Sequence, residues 1–242
     1  MSGKLISVIV PLYNYERYIA DCIRSITDQD YSNFEVFVVD DASTDNSLQI
    51  ARSLQSSKVK VISQLENKGY SAAKNAGIRS SQGDLIVTLD ADDMLTAGSL
   101  RVRAAAIEAT GAPFVHGWAY EINAKHTLAG ARNKVRKRRG RKNQIHAQCV
   151  MLTRDMHKRY GLYDEDLRSK ADKEMWFRLI PRVRIVKIPD VVAYYRRHGK
   201  SMQAFRKRNP AYNKSVKKLF REKVNMRKES GLNSDNTEML ET

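Results

Sequence analysis

The segment Gly83-Asp84-Leu85-Ile86-Val87-Thr88-Leu89-Asp90-Ala91-Asp92-Asp93 decides the fold. Leu85 to Leu89 is a short apolar run, bounded by Gly83-Asp84 before it and by acids after it. Such a run reads as a buried strand that delivers carboxylates to its carboxyl end. The same pattern recurs upstream. Leu5 to Val10 is an apolar run ended by Pro11, Phe34 to Val39 is ended by Asp40 and Asp41, and Val59 to Ile62 is a third. Between these runs lie helical spacings. Residues 15–28 place Tyr18, Ile19, Cys22, Ile23 and Ile26 on one face, and Ser43 or Thr44 can cap a helix reaching about Leu54. Residues 70–80, after the Asn67-Lys68-Gly69 turn, and the Ala-rich residues 97–109 are also predicted helices. Strands alternating with helices at this spacing predict βαβ units, an α/β fold with a mainly parallel sheet and helices on both faces.

After residue 112 the pattern changes. Pro113 to Ile122 and Gln148 to Leu152 read as strands, separated by a polar, basic loop over 123–144. Residues 153–160 and 170–180 read as helices. Val183 to Ile188 and Val191 to Tyr195 read as two short strands around a Pro189-Asp190 turn. Residues 204–228 read as one basic helix with Pro210 in or near its first turns, followed by a polar tail.

Composition narrows the class. The 242 residues are 42% hydrophobic, enough to bury a core, and too ordinary in Gly and Pro for a fibrous or low-complexity chain. Two cysteines, Cys22 and Cys149, exclude a disulfide scaffold and a cysteine-based zinc ribbon. The longest aliphatic run near the start, Val8-Ile9-Val10, is far short of a signal-peptide core or a membrane span, so a soluble, cytoplasmic protein is expected. The net charge of +16 is unevenly spread. Residues 1–99 hold 9 Lys/Arg against 13 Asp/Glu, residues 132–142 hold 8 basic residues and no acid, and residues 182–228 hold 16 against 2. An acidic first part and a strongly basic remainder imply two different partners.

In an open parallel sheet, ligands bind beyond the carboxyl ends of the strands. Pro11, Tyr13, Asn14, Asp40, Asp41 and Asp90 to Asp93 all sit at such ends and can converge on one cleft. Asp45 is assigned only a turn or capping role. Three acids within Asp90-Ala91-Asp92-Asp93 repel one another unless a cation is bound. Asp90 and Asp92, two apart in extended backbone, project to one side. Such a pair suits a hard divalent cation with oxygen ligands, Mg²⁺ or Mn²⁺.

In order along the chain, Ser7-Val8-Ile9-Val10-Pro11-Leu12-Tyr13-Asn14, Val38-Val39-Asp40-Asp41-Ala42-Ser43-Thr44-Asp45, Asn67-Lys68-Gly69 with Ala73-Lys74-Asn75-Ala76-Gly77, and Gly83-Asp84-Leu85-Ile86 leading to Asp90-Ala91-Asp92-Asp93 resemble the motifs of the family-2 glycosyltransferases, which have the GT-A nucleotide-sugar-binding fold. The resemblance covers residues 5–110 closely and extends to about 202. It implies a nucleotide-sugar-binding half over 1–110 and an acceptor and catalytic half over 111–203, followed by the basic helix 204–228 and the tail 229–242. It implies donor-binding roles for Pro11, Tyr13, Asp41, Lys74, Asp90 and Ala91. Asp41 would hydrogen-bond the base, usually uracil, Pro11 and Tyr13 would pack on it, and Asp90 would face the ribose and metal region. Lys74 stands where the family commonly has Arg, which forfeits the bidentate fork. Asp92 would be the main ligand of Mn²⁺ or Mg²⁺, with Asp93 secondary or capping a helix.

The later half resembles the family's acceptor side. Gly161-Leu162-Tyr163-Asp164-Glu165, Ala171-Asp172 and Trp176-Phe177-Arg178-Leu179 match its helix, with Ala171 replacing a common Glu. The resemblance makes Asp172 the catalytic base, with Asp164, Glu165 and Asp166 as nearby competitors. Tyr194-Tyr195-Arg196-Arg197-His198 resembles a late segment whose histidine, here His198, touches the metal or the diphosphate. The other four histidines receive no role. The implied reaction is an inverting transfer of one sugar, hexose or pentose, from a UDP-sugar to an acceptor hydroxyl. The Gln-x-x-Arg-Trp motif of processive members is absent.

The basic segments point to an anionic acceptor. Arg136, Lys137, Arg138 and Arg139 lie in the interval that contributes to the acceptor side. A glycan or a lipid-phosphate carrier, with peripheral contact to an anionic membrane, is the family default. A DNA- or RNA-modifying transferase acting on a hydroxylated base, or a non-catalytic nucleic-acid-binding protein on this scaffold, is the alternative raised by the charge.

Overall fold

A computed structural model of the chain describes residues 3–124 and 145–229. The expected basic loop and its Arg136 to Arg139 cluster, and the tail beyond 229, lie outside these described residues. The elements in order are β1 (Ile6–Leu12), α1 (Ile19–Thr27), β2 (Phe34–Asp40), α2 (Ser47–Ser53), β3 (Val59–Ser63), α3 (Tyr70–Ser80), β4 (Leu85–Thr88), β5 (Met94–Leu95), α4 (Ser99–Thr110), β6 (Phe114–Asn123), β7 (Val150–Thr153), α5 (Arg154–Tyr160), α6 (Ala171–Leu179), β8 (Ile185–Arg197), α7 (Met202–Arg208) and α8 (Pro210–Glu229). They build one eight-stranded sheet in the order β3-β2-β1-β4-β7-β6-β8-β5. The strands β1 to β4 are parallel, β7 inserts antiparallel between β4 and β6, and β6 runs parallel to β8. The sheet therefore runs unbroken across residue 110.

Alternation along the strands feeds two cores. Ile6, Val8, Val10 and Leu12 of β1 pack with Ile19, Ile23 and Ile26 of α1 and Leu100 of α4. Ile9 faces the other way, into a cluster with Ile78 of α3, Met156 of α5, Trp176 of α6 and Phe220 of α8. Gly77 lets α3 lie close on the sheet, because a Cβ there would stand 2.5 Å from Ile9 Cγ2. That approach fixes the height of Lys74, one turn earlier on α3.

Four elements differ from the sequence expectation. The first strand continues through Pro11 to Leu12 instead of ending at Pro11. The Asp41 N–H donates to the Leu12 carbonyl and the Leu89 N–H to the Ile9 carbonyl, so Pro11 faces the β4 side, where β4 has already ended at Thr88. No donor is needed there. Ser43 and Thr44 do not cap α2, which starts at Ser47; the Ser43 and Ser47 hydroxyls instead accept the N–H groups of Asn14 and Tyr15. The two short strands expected around Pro189-Asp190 are one strand, β8, whose register with β6 shifts around Trp118. Gly117 makes room for this irregularity, since a Cβ there would stand 2.7 Å from the Asp190 carbonyl. The basic helix is two helices, and Pro210 opens the second. Proline suits a first helical position, and it forces Asn209 out of helical backbone.

His157 on α5 gives the fold an acid-sensitive point. Both ring nitrogens are buried without a hydrogen-bond partner among the described residues. Burial, reinforced by the Arg178 charge, pushes its imidazole down to about 4 from the ordinary 6.5. The folded-state value is depressed for a base, so below about 6.5 the unfolded chain takes up a proton that the folded chain refuses until about 4. Stability is expected to fall by about 2–3 kcal/mol between pH 7 and pH 4.5 through this residue. Urea denaturation of His157→Leu should show a shallower pH slope than the wild type; equal slopes would remove this role.

Candidate active site

The site forms where β1, β2 and β4 end, under α3 and the start of α6. The acidic loop after β4 folds into a tight turn, with the Asp93 N–H donating to the Asp90 carbonyl. Each acid is held differently. Asp90 accepts a 2.5 Å hydrogen bond from the Tyr70 hydroxyl of α3. Asp92 Oδ2 lies 2.8 Å from His198 Nε2, and the Asp92 carbonyl accepts from Arg196 Nε at 2.7 Å. Asp93 Oδ1 accepts the Arg196 N–H at 2.8 Å, whereas its Oδ2 is buried with no hydrogen-bond partner among the described residues.

Crowding three acids in a buried turn has an electrostatic cost. Burial first, and then the neighbouring Asp92 and Asp172 charges, raise Asp90 to about 6 against the pull of Lys74. Burial and the Asp92 and Asp90 charges push Asp93 well above the usual carboxylate range. Oxygens of all three acids lie within 4.8 Å of one another. Carboxylates that resist ionisation, with one oxygen left unsatisfied, are a donor set that a divalent cation completes. The residues present therefore fit Mn²⁺ or Mg²⁺. His198 packs against Tyr18 at 4.8 Å between ring centroids and receives the Lys200 N–H on Nδ1. That bond leaves the proton on Nε2, facing Asp92.

Asp172 meets this cluster from the other side of the fold. It stands in the first turn of α6, and its Oδ1 receives Lys74 Nζ at 2.5 Å. Lys74 is fully buried, between the faces of Tyr70 and Tyr163, each 4.3 Å away. Burial alone would lower its ammonium, but the Asp172 carboxylate, with the Tyr163 phenol and the Asp90 carboxylate, outweighs burial and holds it above its ordinary value. One cation is thus shared by Asp172 and the Asp90 end of the acidic loop. The competing acids are engaged elsewhere. Asp164 and Asp166 pair with Lys223, Asp164 also pairs with Arg227, and Glu165 pairs with Arg79.

The remaining sequence candidates occupy the neighbouring strand ends. Asp41 is buried, and its two oxygens accept the Lys68 and Gly69 N–H groups at 2.7 and 2.8 Å. Each oxygen keeps a further lone pair. Pro11 is buried within β1, and Ala91 packs in the core. Tyr13 is 43% exposed on the loop after β1. That loop is pinned to the β2 loop through the Thr44 N–H, which donates to Asn14 Oδ1. Two residues emerge that sequence reasoning did not single out. Tyr70 fixes Asp90, and Arg196, almost fully buried, donates to the backbone carbonyl of Asp92 and to the side chain of Asp93. Arg196 stands two residues before His198 in the segment Tyr194-Tyr195-Arg196-Arg197-His198.

The family model of Glycosyl transferase family 2 matches residues 7–164. The chain belongs to that family. The glycosyltransferase chain is 32% identical over 130 residues to the Escherichia coli UDP-Glc:alpha-D-GlcNAc-diphosphoundecaprenol beta-1,3-glucosyltransferase WfgD, covering 54% of this chain and 51% of that protein. It is 38% identical over 106 residues to the poly(ribitol-phosphate) beta-N-acetylglucosaminyltransferase TarS of Staphylococcus aureus, covering 42% of this chain and 18% of TarS. It thus spans about half the length of the first relative and about a fifth of the second. In the crystal structure of S. aureus TarS with UDP-GlcNAc, 96% of this chain superposes on 68% of that chain with a TM-score of 0.74 and 23% identity. The fold is of the GT-A type.

Proposed function

We propose that this family-2 member moves one sugar from a UDP-sugar to a hydroxyl of a phosphate-bearing glycan or lipid-linked acceptor, inverting the anomeric centre. The observation that carries the proposal is the meeting of Asp172 with the Asp90 end of the acidic loop through the shared Lys74. Asp41 and Tyr13 would hold the base at the ends of β1 and β2. Asp90, Asp92 and Asp93 would hold Mn²⁺ or Mg²⁺, which when bound neutralises the charge developing on the departing diphosphate, and His198, with its Nε2 proton beside Asp92, would donate to that diphosphate.

Asp172 acts on the acceptor. Its Oδ1 is fixed by Lys74, and no hydrogen bond occupies its Oδ2 among the described residues. That oxygen is the one to take the proton of the attacking hydroxyl. Lys74 aims the carboxylate, and the rings of Tyr70 and Tyr163 cover the ammonium. Attack from the Asp172 side, opposite the diphosphate, inverts the sugar centre. The names of WfgD and TarS specify phosphate-bearing acceptors, and they support a glycan or lipid-linked acceptor over a nucleic acid. No helix among the described residues is long and apolar enough to cross a membrane, so contact with a lipid-linked acceptor would be peripheral.

The test is donor turnover. A panel of UDP-sugars with Mn²⁺ should yield UDP release that stops in excess EDTA and returns when Mn²⁺ is restored. Full release in EDTA would remove the metal assignment, and no release from any nucleotide sugar would remove the transferase reading.

A further inference from the structure

Two groups of basic residues near α6, α7 and α8 contrast with each other. Lys223 and Arg227 face acids: Lys223 pairs with Asp166 and Asp164, and Arg227 with Asp164 and Glu174. The second group faces other cations. Lys170 Nζ stands 5.1 Å from the centre of the Phe220 ring on α8, whose sequence neighbours Lys217 and Arg221 are both exposed. From α7, Arg206 reaches Ser169 Oγ at 3.4 Å and Asn213 Oδ1 at 3.1 Å, which brings its guanidinium beside Lys170. Lys170, Arg206, Lys217 and Arg221 form no ion pair among the described residues.

This crowding registers on Lys170. Partial burial first, and then the charges of Arg206, Lys173, Lys217 and Arg221, hold its ammonium down to about 8. Lys170 also adopts left-handed backbone, φ 67°, at the residue that precedes α6. Like charges held together by a strained residue and by neutral anchors, beside a helix start, favour a compact multivalent anion. A phosphate group meets several such cations at once through its three or four oxygens, where a single carboxylate offers two.

We infer that Lys170, Arg206, Lys217 and Arg221 form a phosphate-binding site at the start of α6, distinct from the place of the donor diphosphate, and that it takes a phosphate monoester carried by the acceptor. Lys170 lies two residues before Asp172, so the site and the base share the start of α6. That the phosphate belongs to the acceptor rests on the sugar-transfer reading; the site itself does not.

The test uses the full chain, titrated calorimetrically at low salt with sn-glycerol 3-phosphate, alone and after saturation with UDP and Mn²⁺. The variant is Lys217→Ala/Arg221→Ala, two exposed changes on α8 away from the acidic loop. The wild type is expected to bind glycerol phosphate equally with and without UDP, and the variant to bind it roughly fivefold or more weakly, having lost two charge-assisted contacts, while its UDP affinity stays unchanged. Absence of binding at millimolar concentrations, equal affinity in the variant, or displacement of glycerol phosphate by UDP would each overturn the site. A chain that binds glycerol phosphate through these residues but does not bind UDP would sink the sugar-transfer reading and leave the site standing.

Discussion

Asp172→Asn is expected to lower the turnover of sugar transfer by about 100- to 10,000-fold, the range contributed by a positioned general base. The amide oxygen of Asn can still accept from Lys74 Nζ, so the buried ammonium keeps a partner and the fold should hold. What is lost is the second carboxylate oxygen and its negative charge. UDP affinity should be unchanged or somewhat tighter, because Lys74 no longer shares its charge with an acid at position 172 and has more to offer an incoming diphosphate. The check is a comparison of kcat for transfer with the dissociation constant for UDP on the same preparations. Transfer that survives the substitution would show that Asp172 is not the base. Collapsed UDP binding would show that it serves the donor. Lys74→Met is the complementary change: it strips the buried cation from Asp172 and Asp90 together, so donor binding and transfer should both fall.

How much of this was legible in the sequence depends on the range of the contact. The strand endings at Asp40-Asp41 and at Asp90 were legible because a buried strand and the acid after it are neighbours in the chain. Helix α3 was legible over residues 70–80, where periodicity and the Asn67-Lys68-Gly69 turn agree. The pairing of Lys74 with Asp172 was not. It joins residues 98 apart, and each alone has an ordinary surface role available. The choice among Asp164, Glu165, Asp166 and Asp172 was likewise closed to local patterns, since it turns on which acids face Lys223 of α8, which faces Arg79 of α3 and which faces the buried Lys74.

The misjudged elements share one cause. By local habit Pro11 ends a strand, Ser43 and Thr44 cap a helix, and Pro189 makes a turn. In the structure each is overruled by a neighbour distant in sequence. The early end of β4 excuses the missing donor of Pro11, the loop after β1 claims the Ser43 and Thr44 groups, and Gly117 on β6 admits the irregular course of β8 at Pro189-Asp190. Pro210 behaved as its local chemistry dictates, and the helix expected to contain it simply begins there.

Glu174→Ala is expected to destabilise the chain by about 3–5 kcal/mol, the cost of removing one partner from a buried ion pair. Glu174 is fully buried on α6, and its carboxylate receives Arg178 Nε and Nη2, each at 2.9 Å. Arg227 of α8 pairs with the same carboxylate. Arg178 in turn donates to the carbonyls of Tyr160, Gly161 and Leu162, so the pair ties the end of α5 to α6. Without Glu174 the Arg178 charge stays buried against carbonyls alone, and α8 loses a fixing point on α6. Glu174→Gln keeps one acceptor for Arg178 and should cost less than the alanine change. Because Asp172 lies half a turn earlier on the same helix, loosening α6 at Glu174 also loosens the hold of Lys74 on the base. Urea denaturation measures the stability, and transfer assays below the unfolding transition measure the second effect. Activity lost in step with the unfolded fraction would mean that Glu174 only holds the fold together. Activity lost while the chain is still folded would mean that the buried pair also sets the position of Asp172.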